Sequence, residues 1–398
     1  MKTLFKYATV VLLLAGTSAC SQPSKRASII DENIAVAEKQ IGMLADSSET
    51  GGVIRIPSTW KNGRIDYVPV DDWVSGFFAG TLWYMYELTG DETWAARARK
   101  HTEILDSVQY LQWHHDVGFM VYDSYGNGLR LKNIPGYEDV IVQTAKSLAT
   151  RFRPVPGVIQ SWDADRGWQC PVIIDNMMNL ELMFKATEFS GDSTYYNIAV
   201  KHADRTMKEH FRDDYSCYHV VDYDLTTGDV RGRCTAQGYA DDSAWARGQA
   251  WAVYGYTACY RYTGDKRYLD HARKVAGFML GDKNMPADLV PYWDYDAPNI
   301  PNEPRDVSTA AIIASAFYEM YTYTGDGLYK QKADRIVESL SSPAYRAPVG
   351  GNGGFLLMHS VGSIPHGSNI DVPLNYADYY FLEALIRKGR VEAGEPLF

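Results

Sequence analysis

Tyr262-Thr263-Gly264-Asp265 is one of four near-copies of a single phrase. The others are Leu88-Thr89-Gly90-Asp91, Phe189-Ser190-Gly191-Asp192 and Tyr323-Thr324-Gly325-Asp326. An aromatic-rich segment precedes each copy, and a Tyr or Trp follows within a few positions. Glycine suits the left-handed position after a helix end. Aspartate suits the next N-cap, where its carboxylate accepts a backbone N–H. Each copy therefore reads as helix, tight turn, helix.

The flanking segments carry helical periodicity. Around Phe77, Leu82, Trp83 and Tyr86, the segment Gly76–Glu87 leaves little polar face, so it is expected to be buried on most sides. Trp245–Tyr262 and Thr309–Tyr323 read the same way. Trp94–Leu111, Tyr195–His210 and Tyr268–Leu280 carry Lys, Arg and His on one side and read as half-exposed. Buried helices alternating with half-exposed ones make two concentric layers. Six hairpins of about 60 residues each would use most of the chain. The expected fold is all-α, an (α/α)6 barrel with one core and a few short strands. The clearest strand pair is Cys217–Asp224 with Asp229–Cys234, flanking the turn Leu225-Thr226-Thr227-Gly228. The sequence has no βαβ alternation and no glycine-rich phosphate loop.

Apolar types make up 46% of the 398 residues and charged types 22%. That balance excludes a disordered or fibrous chain. Lys plus Arg total 39 against 49 Asp plus Glu, a formal charge of −10. A general nucleic-acid binder needs the opposite sign. At the N-terminus, Lys2 and Lys6 precede the apolar run Ala8–Gly16, which is too short to span a bilayer. Small residues and Cys20 follow. The pattern is that of a signal peptide over 1–19 ending at a lipoprotein cysteine, although Thr17 stands where Leu would be usual. The expected organisation is signal peptide 1–19, lipidated tether and first helix region 20–45, and barrel domain 46–398. The expected location is the periplasm or cell surface, with membrane attachment only through Cys20. Cys170, Cys217, Cys234 and Cys259 remain. None lies in a C-x-x-C pair, so a zinc site has little support. Their even number permits disulfides, and four separate buried thiols are the favoured reading.

Four stretches combine carboxylates with flat rings, as a sugar site requires. Asp71-Asp72-Trp73 opens an inner helix, with the aspartates as an N-cap pair and Trp73 as a stacking surface. Trp113-His114-His115-Asp116-Val117-Gly118-Phe119 is a polar loop between apolar segments. Ile173-Ile174-Asp175-Asn176 puts an aspartate inside an apolar run, where an ionised carboxylate is expensive unless paired or functional. Gln237-Gly238 leads to Trp245-Ala246-Arg247-Gly248-Gln249-Ala250-Trp251, where Arg247 and Trp251 share a helix face. An arginine beside an aromatic suits a sugar carboxylate.

Together these motifs resemble the unsaturated glucuronyl hydrolases, glycoside hydrolase family 88, from about Asp71 to Leu385. The resemblance rests on the D-x-W-x-x-G-F region, H-D-x-G-F, I-I-D-x-x-x-N-L, the W-x-R-G-Q-A-W block and Tyr379-Tyr380-Phe381-Leu382-Glu383-Ala384-Leu385. It implies the same barrel. It implies that Asp175 is the general acid and base and that Asp116 is a second essential aspartate, with His115 beside it. It further implies that Trp73 stacks near the site and that His219, Gln237, Arg247 and Trp251 contact substrate. The implied partner is an oligosaccharide ending in an unsaturated uronate; no metal or cofactor is implied. One departure stands out. Family members that accept sulfated sugars carry a Lys shortly after an S-x-x-S stretch. Here Ser360-Val361-Gly362-Ser363 is followed by Ile364 and Pro365, with His366 the nearest cationic side chain. Rival readings are an unsaturated rhamnogalacturonyl hydrolase, a sugar epimerase and a non-catalytic glycan-binding lipoprotein.

Overall fold

A computed structural model describes residues 28–164 and 166–398. The leader expected at 1–19 and Cys20 lie outside the described residues. The four repeated phrases fold as their chemistry dictates. Gly90, Gly191, Gly264 and Gly325 take φ values of 69°, 73°, 68° and 66°. Asp91, Asp192, Asp265 and Asp326 accept the backbone N–H of Thr93, Thr194, Arg267 and Leu328 respectively.

The helices, in chain order, are α1 (Ile29–Ser48), α2 (Ser75–Thr89), α3 (Glu92–Glu103), α4 (Val117–Val121), α5 (Asn127–Lys132), α6 (Tyr137–Ala149), α7 (Leu180–Ser190), α8 (Ser193–Glu209), α9 (Ala246–Thr263), α10 (Lys266–Gly281), α11 (Val307–Thr324), α12 (Gly327–Leu340) and α13 (Asn375–Ala393). A π-helical turn, Tyr122–Gly126, joins α4 to α5. The inner ring runs α2, α4–α5, α7, α9, α11 and α13, and α13 closes against α2. The outer layer is α1, α3, α6, α8, α10 and α12. Inner helices α2, α9, α11 and α13 are buried all round for most of their length: every residue of α9 from Ala246 to Cys259 is buried. Outer helices bury one stripe. In α8 that stripe is Tyr195, Ile198, Ala199, His202, Ala203 and Thr206. The (α/α)6 barrel is thus the observed fold.

Strands are short and sit at one end of the ring. β1 (Ile56–Lys61) pairs with β2 (Arg64–Val68), and β3 (Phe152–Arg153) with β4 (Val158–Ile159). β5 (Pro171–Ile173), β6 (Val220–Tyr223) and β7 (Val230–Cys234) form an antiparallel sheet in that order. β8 (Ser360–Ser363) pairs with β9 (Ser368–Val372). The expected 217–234 hairpin is β6–β7. The β1–β2 and β8–β9 hairpins were not expected.

Three expectations change. The boundary at 46 falls inside α1, whose Ala37, Ile41, Leu44 and Ala45 are in the main core. Gln40 donates to the carbonyls of Gly351 and Phe355, so α1 belongs to the barrel. The helix expected over Trp94–Leu111 stops at Glu103, and the chain tightens into a 3-10 turn, Asp106–Tyr110, that buries Val108. The aspartates at 71–72 do not cap α2: Val74 holds the cap position, and Asp72 instead accepts the Val74 N–H at 3.0 Å. The four cysteines are free thiols, and three of them are buried.

All six inner helices present their N-terminal ends on the same side. Trp73 precedes α2, Asp116 precedes α4, Asp175 precedes α7, Arg247 opens α9, Asp306 caps α11 and Tyr376 opens α13. Gly118 sets how closely two of them meet. A Cβ there would lie 2.4 Å from Asn179 Oδ1 and 2.7 Å from Asn179 Cα. Asn179 Oδ1 in turn accepts the Phe119 N–H at 3.3 Å. Gly118→Ala is expected to push α4 off the Asp175 turn. It should cost about 1–3 kcal/mol, as overpacking does, and lower turnover. A thermal melt and an initial rate on the same sample check both.

Candidate active site

Asp175 lies in a 3-10 turn, Ile174–Asn179, between β5 and α7. The Ile174 N–H donates to the His219 carbonyl at 3.0 Å, which ties this turn to the strand segment bearing His219. His219 Nε2 is 3.6 Å from Asp175 Oδ2. Asp116 precedes α4, and its Oδ1 is 3.3 Å from His115 Nε2. Burial pushes His115 and His219 down to about 3, so both rings stay neutral. The carboxyls move the other way. Burial raises Asp116 to about 6, against the pull of His114, Asn179 and Arg151. Burial, then the Asp116 charge, raises Asp175 to about 7, with Arg247 opposing.

Aromatic contacts join the remaining residues to this pair. Trp73 packs on Phe119 at 5.6 Å and on Tyr376 at 5.0 Å between centroids; Phe119 packs on Trp251 at 5.2 Å. Trp245 lies between His219, at 4.6 Å, and the Arg247 guanidinium, also at 4.6 Å. Asp116 Oδ1, Asp175 Oδ2, His115 Nε2, His219 Nε2 and Trp251 Nε1 are all buried without an aligned hydrogen-bond partner in the protein. Buried polar groups are ordinarily satisfied; here Asp116 Oδ1 faces His115 Nε2 and Asp175 Oδ2 faces His219 Nε2, each pair close but not aligned.

A cavity of about 270 Å³ is lined by Asp72, Trp73, Gln237, Arg247, His366 and Tyr376, among others; Trp73, Gln237 and Arg247 are the expected site residues on its wall, and Asp116 and Asp175 lie behind it. A second cavity, lined by Trp162, Arg166, Trp168 and Ala236, shares Gln237 and His366 with the first. Trp162 and Trp168 are stacked, with centroids 5.8 Å apart and planes 24° apart. The structure thus gathers all eight expected site residues in one region. Among the described residues, no group of three His, Cys, Asp or Glu side chains is gathered as for a metal ion.

Arg247 is more committed than expected. It is 1% exposed and donates to Asp306 Oδ2 at 3.0 Å, to the Val361 carbonyl and to the Gly362 carbonyl. Its ring partners are Trp245 and Tyr376, not Trp251. Arg247 and Asp306 together hold the β8–β9 hairpin, because Asp306 also accepts the Val361 N–H. Sequence reasoning missed Asp306, Tyr376, Trp162 and Trp168. Asp306 had a readable signal, an aspartate two residues before Ser308 at a helix start.

Two buried aspartates, aromatic walls and the N-terminal ends of an (α/α)6 ring define a glycosidase. No family model matches the chain. An unsaturated glucuronyl hydrolase of Formosa agariphila is 49% identical over 325 residues, 81% of each chain. An unsaturated chondroitin disaccharide hydrolase of Streptococcus pneumoniae is 33% identical over 343 residues, 83% of this chain and 85% of its own. A solved unsaturated glucuronyl hydrolase specific for heparin superposes with a TM-score of 0.88 at 44% identity, covering 91% of this chain and 98% of that one. The chain belongs to the unsaturated glucuronyl hydrolases.

The aspartate pair sets a pH dependence. Turnover that needs protonated Asp175 falls as pH rises through about 7. Asp116→Asn removes the neighbouring charge, lowers the Asp175 pKa and moves that limb to lower pH; kcat/KM profiles read this directly. Stability has the same sign. Both carboxyls hold protons more tightly folded than unfolded, so their contribution is complete below about pH 4 and is lost as pH rises through their folded values. Melts of Asp175→Asn above neutral pH should therefore match or exceed wild type.

Proposed function

We propose that the chain removes the 4,5-unsaturated uronate from the non-reducing end of lyase-generated glycosaminoglycan oligosaccharides by hydrating its vinyl ether. The observation that carries this reading is the pair of buried carboxyls, one of which keeps its proton close to neutral pH. Protonated Asp175 donates to C4, and an oxocarbenium ion forms at C5. Water adds at C5 and returns a proton to the Asp175 carboxylate. The product is a hemiketal, which opens and releases the sugar. Burial first, and then like-charge repulsion from Asp116, hold the proton on Asp175.

Trp73, Gln237 and Trp251 are assigned to substrate contact, as is the edge of Arg247 that reaches the cavity. The net charge of −10 does not draw an anion inward. The converging N-terminal ends of the longer inner helices supply a positive field suited to the uronate carboxylate. Heparin-type disaccharides are the favoured substrates, supported by 44% identity to the heparin-specific structure. Chondroitin-type disaccharides are the second reading, supported by the streptococcal relative. His366 hydrogen-bonds Ser363 at 2.7 Å and borders both cavities, which suits it to an anionic substituent on the second sugar. Lipid attachment at Cys20 would keep the enzyme at the membrane, in the periplasm or on the cell surface.

Asp175→Asn should fold and lose turnover by roughly 10²–10⁴-fold or more, since one group acts as both acid and base. On lyase-generated disaccharides, the vinyl-ether absorbance should disappear with wild type only. In heavy-oxygen water the label should enter at C5, and in heavy water deuterium should enter at C4. Label at C1, or comparable rates on saturated glucuronides, would instead indicate ordinary displacement.

A further inference from the structure

The hydrogen bonds around His219 fix its proton as well as its position. The backbone N–H groups of Ala236 and Gln237 both donate to His219 Nδ1, at 3.0 and 3.2 Å. Nδ1 is therefore an acceptor, and a neutral imidazole then carries its proton on Nε2. The ring is 3% exposed, with Trp162 and Trp245 against it. Burial and the facing groups Arg247, His210, His366 and His115 all disfavour a second proton. Nε2 faces Asp175 Oδ2 at 3.6 Å, just beyond hydrogen-bond length, and neither atom has another hydrogen-bond partner in the protein, so a small approach on substrate binding closes the contact. Asp116 and Arg247 are the charged groups that act on Asp175, and Trp251 is the side-chain donor that favours its carboxylate; Asp175 in turn raises Cys217 and Tyr376.

We infer that His219 is a positioning residue that reserves Asp175 Oδ2 for its own Nε2–H and thereby assigns the transferable proton of Asp175 to Oδ1. Two donors do not face one another, so protonated Asp175 carries its hydrogen on the oxygen turned away from His219. In the hydration step the Oδ1–H bond breaks as the C4–H bond forms, using the C4–C5 π pair. The carboxylate left behind is stabilised at Oδ2 by His219. Water oxygen then bonds to C5, and its proton returns to Oδ1. His219 keeps its proton throughout. Ala236 and Gln237 also border the substrate cavities, so the cavity wall and the acid are linked through one ring. This inference rests on the reading of Asp175 as acid and base.

Long-range ¹H–¹⁵N spectra of the ¹⁵N-histidine-labelled full chain test the tautomer directly, with His219→Gln assigning the resonance. The expected result is a protonated Nε2 and a bare Nδ1 between about pH 5 and 8. A protonated Nδ1 or an imidazolium would overturn the inference whatever the enzyme's activity. In kinetics, His219→Phe should lower kcat roughly 10- to 100-fold, the range for losing a hydrogen bond to a charged group, with less change in KM. Its alkaline limb should move to higher pH, because a donor that favours the carboxylate has gone. His219→Gln, which keeps an N–H donor, should recover part of kcat. An unshifted limb in His219→Phe would overturn the inference. Turnover by Asp175→Asn would remove its premise, while the spectra would still report the tautomer, so the two failures are distinguishable.

Discussion

Two carboxyls buried side by side cannot both ionise cheaply, and the site is arranged around that constraint. Desolvation disfavours the charge on each, and the charge on one disfavours the charge on the other. Asp116 and Asp175 are therefore held apart in proton affinity, at about 6 and about 7. Neutral His115 and His219 lie beside them, so no imidazolium cancels the effect. The barrel supplies the burial. Its six inner helices bring side chains from distant parts of the chain to one end, and their backbones leave N–H groups there rather than carbonyls.

The same end is braced by a buried ion pair. Arg247 and Asp306 are 59 residues apart in sequence and each 1% exposed at the side chain. Their value is not in net stability, since a buried pair roughly repays its own desolvation. It lies in the hairpin they hold: the Arg247 guanidinium takes two carbonyls of β8 and Asp306 takes an N–H from it. That hairpin carries Ser363 and His366 to the cavity wall. A positive charge fixed this close to Asp175 also keeps its carboxyl from rising further.

Much of this was legible in sequence because its cause is local. A glycine at a left-handed helix end and an aspartate at the next N-cap are properties of adjacent residues, and four copies located four hairpins. An aspartate inside Ile173-Ile174-Asp175 is conspicuous because burial and charge conflict over a few positions. The rest depends on distance. The β8–β9 hairpin owes its place to Arg247, 115 residues from Gly362. Trp162 and Trp168 are separated by a turn and meet only once the loop is folded. Tyr376 reads as one more aromatic in a buried helix until Trp73 is packed on it. The boundary at 46 failed for the same reason, since α1 shows its membership of the core only through partners such as Phe355.

Burial, before any other cause, holds the proton on Asp175. A ¹³C-aspartate NMR titration of the full chain, with the Asp175→Asn variant identifying the resonance, measures this directly. The expected midpoint for Asp175 is about 7. A midpoint near 4, the value of an ordinary exposed aspartate, would contradict it.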